Sequence, residues 1–172
     1  ENLVKSDGPV SAPDGNWTSG TGSGNVYVET TEKIVGSKSL KHATESSDYY
    51  GCAVFTYGTG KEVNANKYPN LTFQMKLQNA FNGYVTVQLE DSAGMIVRRE
   101  INIQKEKWIL QSFVVGKKNS DQWTHSISNS QPFNWSSVKK IAVYSNFSGT
   151  GTGSFWIDNL FFNQCRWEDT QE

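Results

Sequence analysis

Leu71, Phe73, Met75 and Leu77 alternate with Thr72, Gln74, Lys76 and Gln78. Val85, Val87 and Leu89 alternate in the same way with Tyr84, Thr86, Gln88 and Glu90. A period of two puts the apolar set on one face of a strand and the wetter set on the other. Helical periodicity is nearly absent, and the longest helical candidate, 136–141, has room for little more than a turn. A chain patterned like this must pair its strands and bury one face of each sheet. Two such sheets packed face to face make a sandwich.

The pattern predicts strands over 26–30, 37–44, 51–57, 70–78, 84–90, 96–103, 108–115, 140–146 and 154–162, with a short edge strand at 2–4. Residues 6–24, rich in Gly, Ser, Pro and Thr, read as a loop pinned by Trp17. Asn82-Gly83 and the run Asp91-Ser92-Ala93-Gly94 have hairpin chemistry. Tyr68-Pro69 disfavours helix before the strand at 70. The fold class expected is all-β: a β-sandwich jelly roll of two antiparallel sheets, with residues 1–165 as one domain and 166–172 as a polar tail or linker.

At 172 residues the chain fits one domain with a sizeable core. Sixteen Lys and Arg against 17 Asp and Glu leave a net charge of −1, so no basic field is present to attract nucleic acid. No apolar run is long enough for a membrane helix. Glu1-Asn2-Leu3 lacks the basic and then apolar start of a signal peptide, as in a mature or excised domain. Abundant Gly and aromatic residues, with only 19% charged residues, lead us to expect an extracellular, secreted protein. Two cysteines, Cys52 and Cys165, allow one disulfide or two separate thiols.

Motifs for catalysis are weak. The Gly-rich runs at 20–24 and 149–153 lack the strand–loop–helix setting and Lys-Ser/Thr ending of a phosphate loop. His42 and His125 have no nucleophile-elbow sequence to serve, and zinc-type ligand spacing is absent. Glu90, Asp91 and Glu100 could approach one another across a hairpin, but adjacent strand residues point to opposite faces, so a solvated strand end is the better reading. Asp158, set between bulky apolar residues in the last strand, needs a partner, which either a structural cation or a hydrogen-bonded turn would supply.

The aromatics fall into two groups. Trp108, Trp135, Phe155 and Ile157 read as core. Tyr84 and Tyr144 sit on the wet faces of their strands, Trp123 in the polar loop 117–125, and Tyr49 and Tyr50 at the end of another loop. Aromatic rings bury the C–H face of a sugar at little entropic cost, and flanking amides and charges bond its hydroxyls.

Four stretches resemble the calcium-containing β-jelly-roll carbohydrate-binding modules appended to secreted polysaccharide-degrading enzymes. They are Val35-Gly36-Ser37-Lys38-Ser39-Leu40-Lys41; the run 68–76 with 85–91; the strand opened by Trp108; and the run 135–141 with Phe155-Trp156-Ile157-Asp158-Asn159-Leu160-Phe161. The resemblance implies that the strands starting at Ser37, Ser154, Asn70 and Trp108 share one sheet. Those starting at Gly51, Lys140, Tyr84 and Ile96 share the other, whose outer face holds the glycan.

It further implies Tyr84, Thr86, Gln88, Arg98, Glu100, Tyr144 and Asn146 as cleft residues; the loop aromatics Trp123, Tyr49 and Tyr50, read from the sequence itself, are expected as further ligands of a polysaccharide. Asp158 matches the family's C-terminal calcium ligand. Glu29, Glu32, Lys38 and Asp7 match by neighbourhood, so a structural Ca2+ is expected among them. The absence of a Trp on the cleft strands favours a soluble glycan chain over a flat crystalline surface. On this topology Cys52 and Cys165 fall toward opposite ends of the sandwich, which argues against an easy bridge.

The function expected is a non-catalytic, monomeric module of a larger secreted protein, holding a β-glucan, mannan or similar plant cell-wall-type chain. The alternatives are an adhesion or structural jelly roll of a surface protein, or a small polysaccharide lyase or hydrolase on the same fold.

Overall fold

The computed structural model describes residues 10–12, 14–20, 24–44, 50–126, 131–147 and 152–163. Its strands are β1 (Val10–Ala12), β2 (Gly15–Ser19), β3 (Asn25–Glu29), β4 (Ser39–Ala43), β5 (Tyr50–Tyr57), β6 (Asn70–Leu77), β7 (Phe81–Asp91), β8 (Ile96–Asn102), β9 (Trp108–Val114), β10 (Thr124–His125), β11 (Val138–Phe147) and β12 (Ser154–Asn163). One sheet has seven strands in the order β1-β2-β5-β11-β7-β8-β10, and the other has five in the order β3-β4-β12-β6-β9. All pairings are antiparallel. The β-sandwich and the division of strands between its sheets are as expected.

The inner faces are the alternating apolar sets. Leu71, Phe73, Met75 and Leu77 of β6 and Val85, Val87 and Leu89 of β7 have no exposed surface. Each such side chain contributes about 1.5–3 kcal/mol by leaving water. Phe155 of β12 is a hub. It stacks on His42 at 4.8 Å and 7° and meets Phe81 edge-on at 5.8 Å. It also explains Gly51, where a Cβ would stand 2.7 Å from the Phe155 ring.

Several expectations change. Part of the loop expected at 6–24 is the β1–β2 hairpin, and Trp17 is a buried core residue of β2. The strand expected at 2–4 lies outside the described residues. Asn82-Gly83 is not a turn. It lies inside β7, and the reversal falls at 78–81, where the Phe81 N–H donates to the Gln78 carbonyl. The second turn forms as expected: Gly94 adopts φ 82 and its N–H donates to the Asp91 carbonyl. A 3₁₀ turn, Lys117–Gln122, occupies part of the predicted polar loop. Trp108 is not core. It is half-buried opposite Lys76, and Ile109 turns inward in its place, because the alternation of β9 is set by its pairing with β6.

Candidate functional site

The outer face of the seven-stranded sheet gathers most of the expected binding residues, and strand register sets their rows. In one row, Tyr144 on β11 lies between Cys52 on β5 and Thr86 on β7, with Glu100 of β8 beyond. The next row runs Thr18, Val54, Ala142, Gln88, Arg98 and Thr124. On the far side of the Tyr144 row lie Asn146 opposite Tyr50 and Tyr84 opposite Asn102. A period of two on four adjacent strands thus places Tyr50, Tyr84, Gln88, Arg98, Tyr144 and Asn146 on one surface.

The middle of this face is held in place by its own contacts. The Tyr50 and Tyr144 rings are 6.0 Å apart and tilted at 54°. Arg98 Nε donates to Gln88 Oε1 at 3.0 Å, which orients the guanidinium while leaving its other N–H groups to a ligand. Lys140 Nζ donates to Glu90 Oε1 at 2.8 Å at the other end of the strands. Burial pushes the Tyr144 phenol up to about 12, helped by the Cys52 thiol, so its hydroxyl stays protonated at neutral pH. Cys52 is only 1% exposed, and burial pushes its thiol up to about 12 as well, despite hydrogen bonds from Gly20 and Tyr144. It therefore acts as a small apolar floor beneath Tyr144 and not as a nucleophile. Cys52 shares its alternation with Tyr50 and Val54, a signal already present in the sequence of β5.

Two expected aromatics are not on this face. Tyr49 lies outside the described residues. Trp123 is a core residue, 3% exposed, packed between Phe113 and Trp135 at ring distances of 6.1 and 6.0 Å. Its indole N–H donates to the Val114 carbonyl at 3.0 Å. The polar sequence around it concealed this, because the 3₁₀ turn carries Lys and Asp outward while Trp123 folds back under β9.

The carboxylates expected to hold calcium are engaged elsewhere. Asp158 Oδ2 accepts the backbone N–H of Ile34 at 2.7 Å and of Val35 at 2.9 Å. A register shift in β12, with Asn159 at φ 53, accompanies this tie. Glu29 Oε1 accepts the N–H of Thr30 and Thr31 and the Thr31 hydroxyl. Glu32 Oε2 pairs with Lys76 at 2.9 Å, and the Lys41 and Lys76 ammonium groups lie 5.7 and 5.4 Å from the Trp156 ring centroid. Lys38 is half-buried beside them, and Asp7 lies outside the described residues. Among the described residues no three His, Cys, Asp or Glu side chains converge. N–H groups and ammonium groups surround these carboxylates, which does not fit a bound cation at this set.

The hairpin carboxylates are not an acid–base pair either. Asp91 is buried and accepts three backbone N–H groups, those of Ala93 at 2.8 Å, Met95 at 2.9 Å and Asn134 at 2.7 Å. It anchors the turn, while Glu90 is tied to Lys140 and Glu100 is exposed on β8.

No protein-family model and no curated protein matches the chain in sequence. Solved structures do match it in fold. A family 11 carbohydrate-binding module from Clostridium thermocellum, solved with a β-1,3-1,4-mixed-linked tetrasaccharide, is 13% identical, with a TM-score of 0.59 over 91% of this chain and 93% of that one. A family 30 carbohydrate-binding module is 14% identical, with a TM-score of 0.59 over 95% and 88%. An exo-β-agarase is 16% identical, with a TM-score of 0.62 over 97% of this chain, which spans only 25% of that enzyme. The fold of this chain is therefore a β-sandwich similar to those of these solved structures.

Proposed function

We propose that the chain is a non-catalytic binding module that holds a polysaccharide across the outer face of its seven-stranded sheet. The observation that carries this reading is the grouping on that face of the tilted Tyr50–Tyr144 pair with the Gln88-oriented Arg98. The rings offer apolar surface to the C–H face of a sugar, and the guanidinium, amides and Tyr144 hydroxyl offer hydrogen bonds to its hydroxyl groups. An open face buries little of its ligand, so affinity is micromolar at best. The likeness in fold to carbohydrate-binding modules supports the reading, and the likeness to a quarter of an exo-β-agarase supports a role as the ancillary part of a larger secreted enzyme.

Affinity electrophoresis through gels containing mixed-linkage β-glucan, glucomannan or agarose tests the proposal. Retardation by at least one glycan, reduced roughly tenfold in affinity by Tyr144→Ala, a loss of about 1.4 kcal/mol, supports it. If no glycan retards the protein, or if Tyr144→Ala leaves retardation unchanged, the reading fails. An adhesion or structural role would then replace it.

A further inference from the structure

A cavity of about 930 Å³ opens at one end of the sandwich, between the two sheets and away from the face described above. It lies where β5 finishes and the chain crosses to β6. Its inner end is closed by core residues: Trp17, Phe55, Leu40 and Ile157. Trp17 and Phe55 pack at 5.2 Å, and Tyr57 meets Phe55 edge-on at 4.8 Å, so the floor is an aromatic cluster. Its size falls at the upper end of the roughly 300–1,000 Å³ typical of small-molecule sites.

Tyr57 sets this space apart from a packing gap. The residue is 8% exposed and lines the cavity, yet its hydroxyl meets no hydrogen-bond partner among the described residues. The hydroxyl is open to the cavity, so a sugar hydroxyl can meet it there in place of water. Burial, with the negative charge of Asp14 nearby, holds the phenol well above its ordinary pKa, so it stays a donor.

The wall is polar but balanced. Lys38, Lys61 and Lys67 stand against Asp14, Glu62 and Asp158. Lys61 Nζ lies 3.6 Å from Asp14 Oδ1, and Lys67 lies over the Tyr68 ring at 5.5 Å. No excess charge of either sign is available to attract an ion. An aromatic floor, a hydroxyl lacking a partner and mixed donors and acceptors around a neutral rim suit an uncharged, hydroxyl-rich ligand with an apolar face. We infer that this cavity is a second carbohydrate site, one that takes the end of a neutral glycan chain, because core residues block its inner end and a chain cannot pass through. The inference rests on the glycan-binding reading, but it uses different residues and a different part of the ligand.

Titrations with the β-1,3-1,4-mixed-linkage tetrasaccharide and with agarotetraose, followed by the indole N–H signal of Trp17 in nuclear magnetic resonance spectra, test it. The expected result is that one tetrasaccharide shifts the Trp17 signal. Tyr57→Phe, which removes only the hydroxyl, should weaken that binding roughly tenfold and leave retardation by the polymer intact, while Tyr144→Ala should do the reverse. A Trp17 signal that stays still while Tyr144→Ala abolishes tetrasaccharide binding would overturn the cavity site and leave the face reading standing. Unchanged tetrasaccharide affinity in Tyr57→Phe would also overturn it. Absence of polymer retardation in the wild-type protein, with the Trp17 shift present, would overturn the face reading and not the cavity.

Discussion

Asp158, near the end of the chain, accepts the backbone N–H of Ile34 at 2.7 Å across 124 residues of sequence. With the second bond from Val35 it fastens the loop between β3 and β4 to β12. A carboxylate bonded to two N–H groups needs no cation, because the donors supply the charge stabilisation that burial removes. Asp158→Ala leaves both N–H groups without this acceptor. We expect a loss of about 2–4 kcal/mol in urea unfolding. Asp158→Asn retains an acceptor oxygen without the charge and should lose roughly half as much. Equal stability of Asp158→Ala and wild type would show that the tie contributes nothing.

Chelation provides an independent check of the same region. A metal bound to the native state raises stability by mass action. Because Glu29, Glu32 and Asp158 are engaged by N–H groups and Lys76, EDTA should leave the melting temperature unchanged, and so should millimolar calcium. A melting temperature that falls with EDTA and returns with calcium would reinstate the structural ion expected from the family resemblance.

Glu29 makes part of the stability depend on acid. The Thr31 hydroxyl, followed by the Thr31 backbone N–H, pulls its carboxyl from the ordinary 4.5 down to about 2, with smaller help from Thr30 and Trp156. A lowered folded-state pKa contributes stability that is fully present above the unfolded value and lost as pH falls through the folded one. The melting-temperature gap between wild type and Glu29→Gln should therefore be constant above about pH 5 and shrink to nothing toward about pH 2. A gap that does not vary with pH would assign the loop's stability to packing.

Trp123 separates stability from binding. Truncating a buried aromatic to Ala costs about 3–5 kcal/mol, so Trp123→Ala should unfold at much lower urea concentration. Trp123→Phe keeps most of the volume, loses the hydrogen bond to Val114, and should fold with a smaller deficit. Both variants should keep wild-type glycan affinity per folded molecule. Weakened retardation of folded Trp123→Phe in affinity gels would place Trp123 on the binding surface after all.

The outer face of the seven-stranded sheet was legible to the extent that it depends on alternation. Tyr84, Gln88, Arg98 and Tyr144 sit on wet faces of strands whose apolar partners are plain, and pairing between neighbouring strands is enough to bring them together. Trp123 failed this logic because it follows a 3₁₀ turn, where no period of two applies. Trp17 failed it because a Gly- and Ser-rich composition hid a short hairpin whose one large residue faces inward.

By itself the sequence determined that this protein is a two-sheet sandwich and which residues of each long strand face the core. A period of two is a local property, and burial of one face follows directly from it. Only the tertiary structure decided where Asp158 finds its donors, that Trp123 is packing, and that a cavity with the Tyr57 hydroxyl in its wall opens at the end of the sandwich. Each of these depends on segments far apart in the chain meeting at a particular distance and angle. That is set by how two twisted sheets and their loops close against each other, which no spacing within a strand encodes.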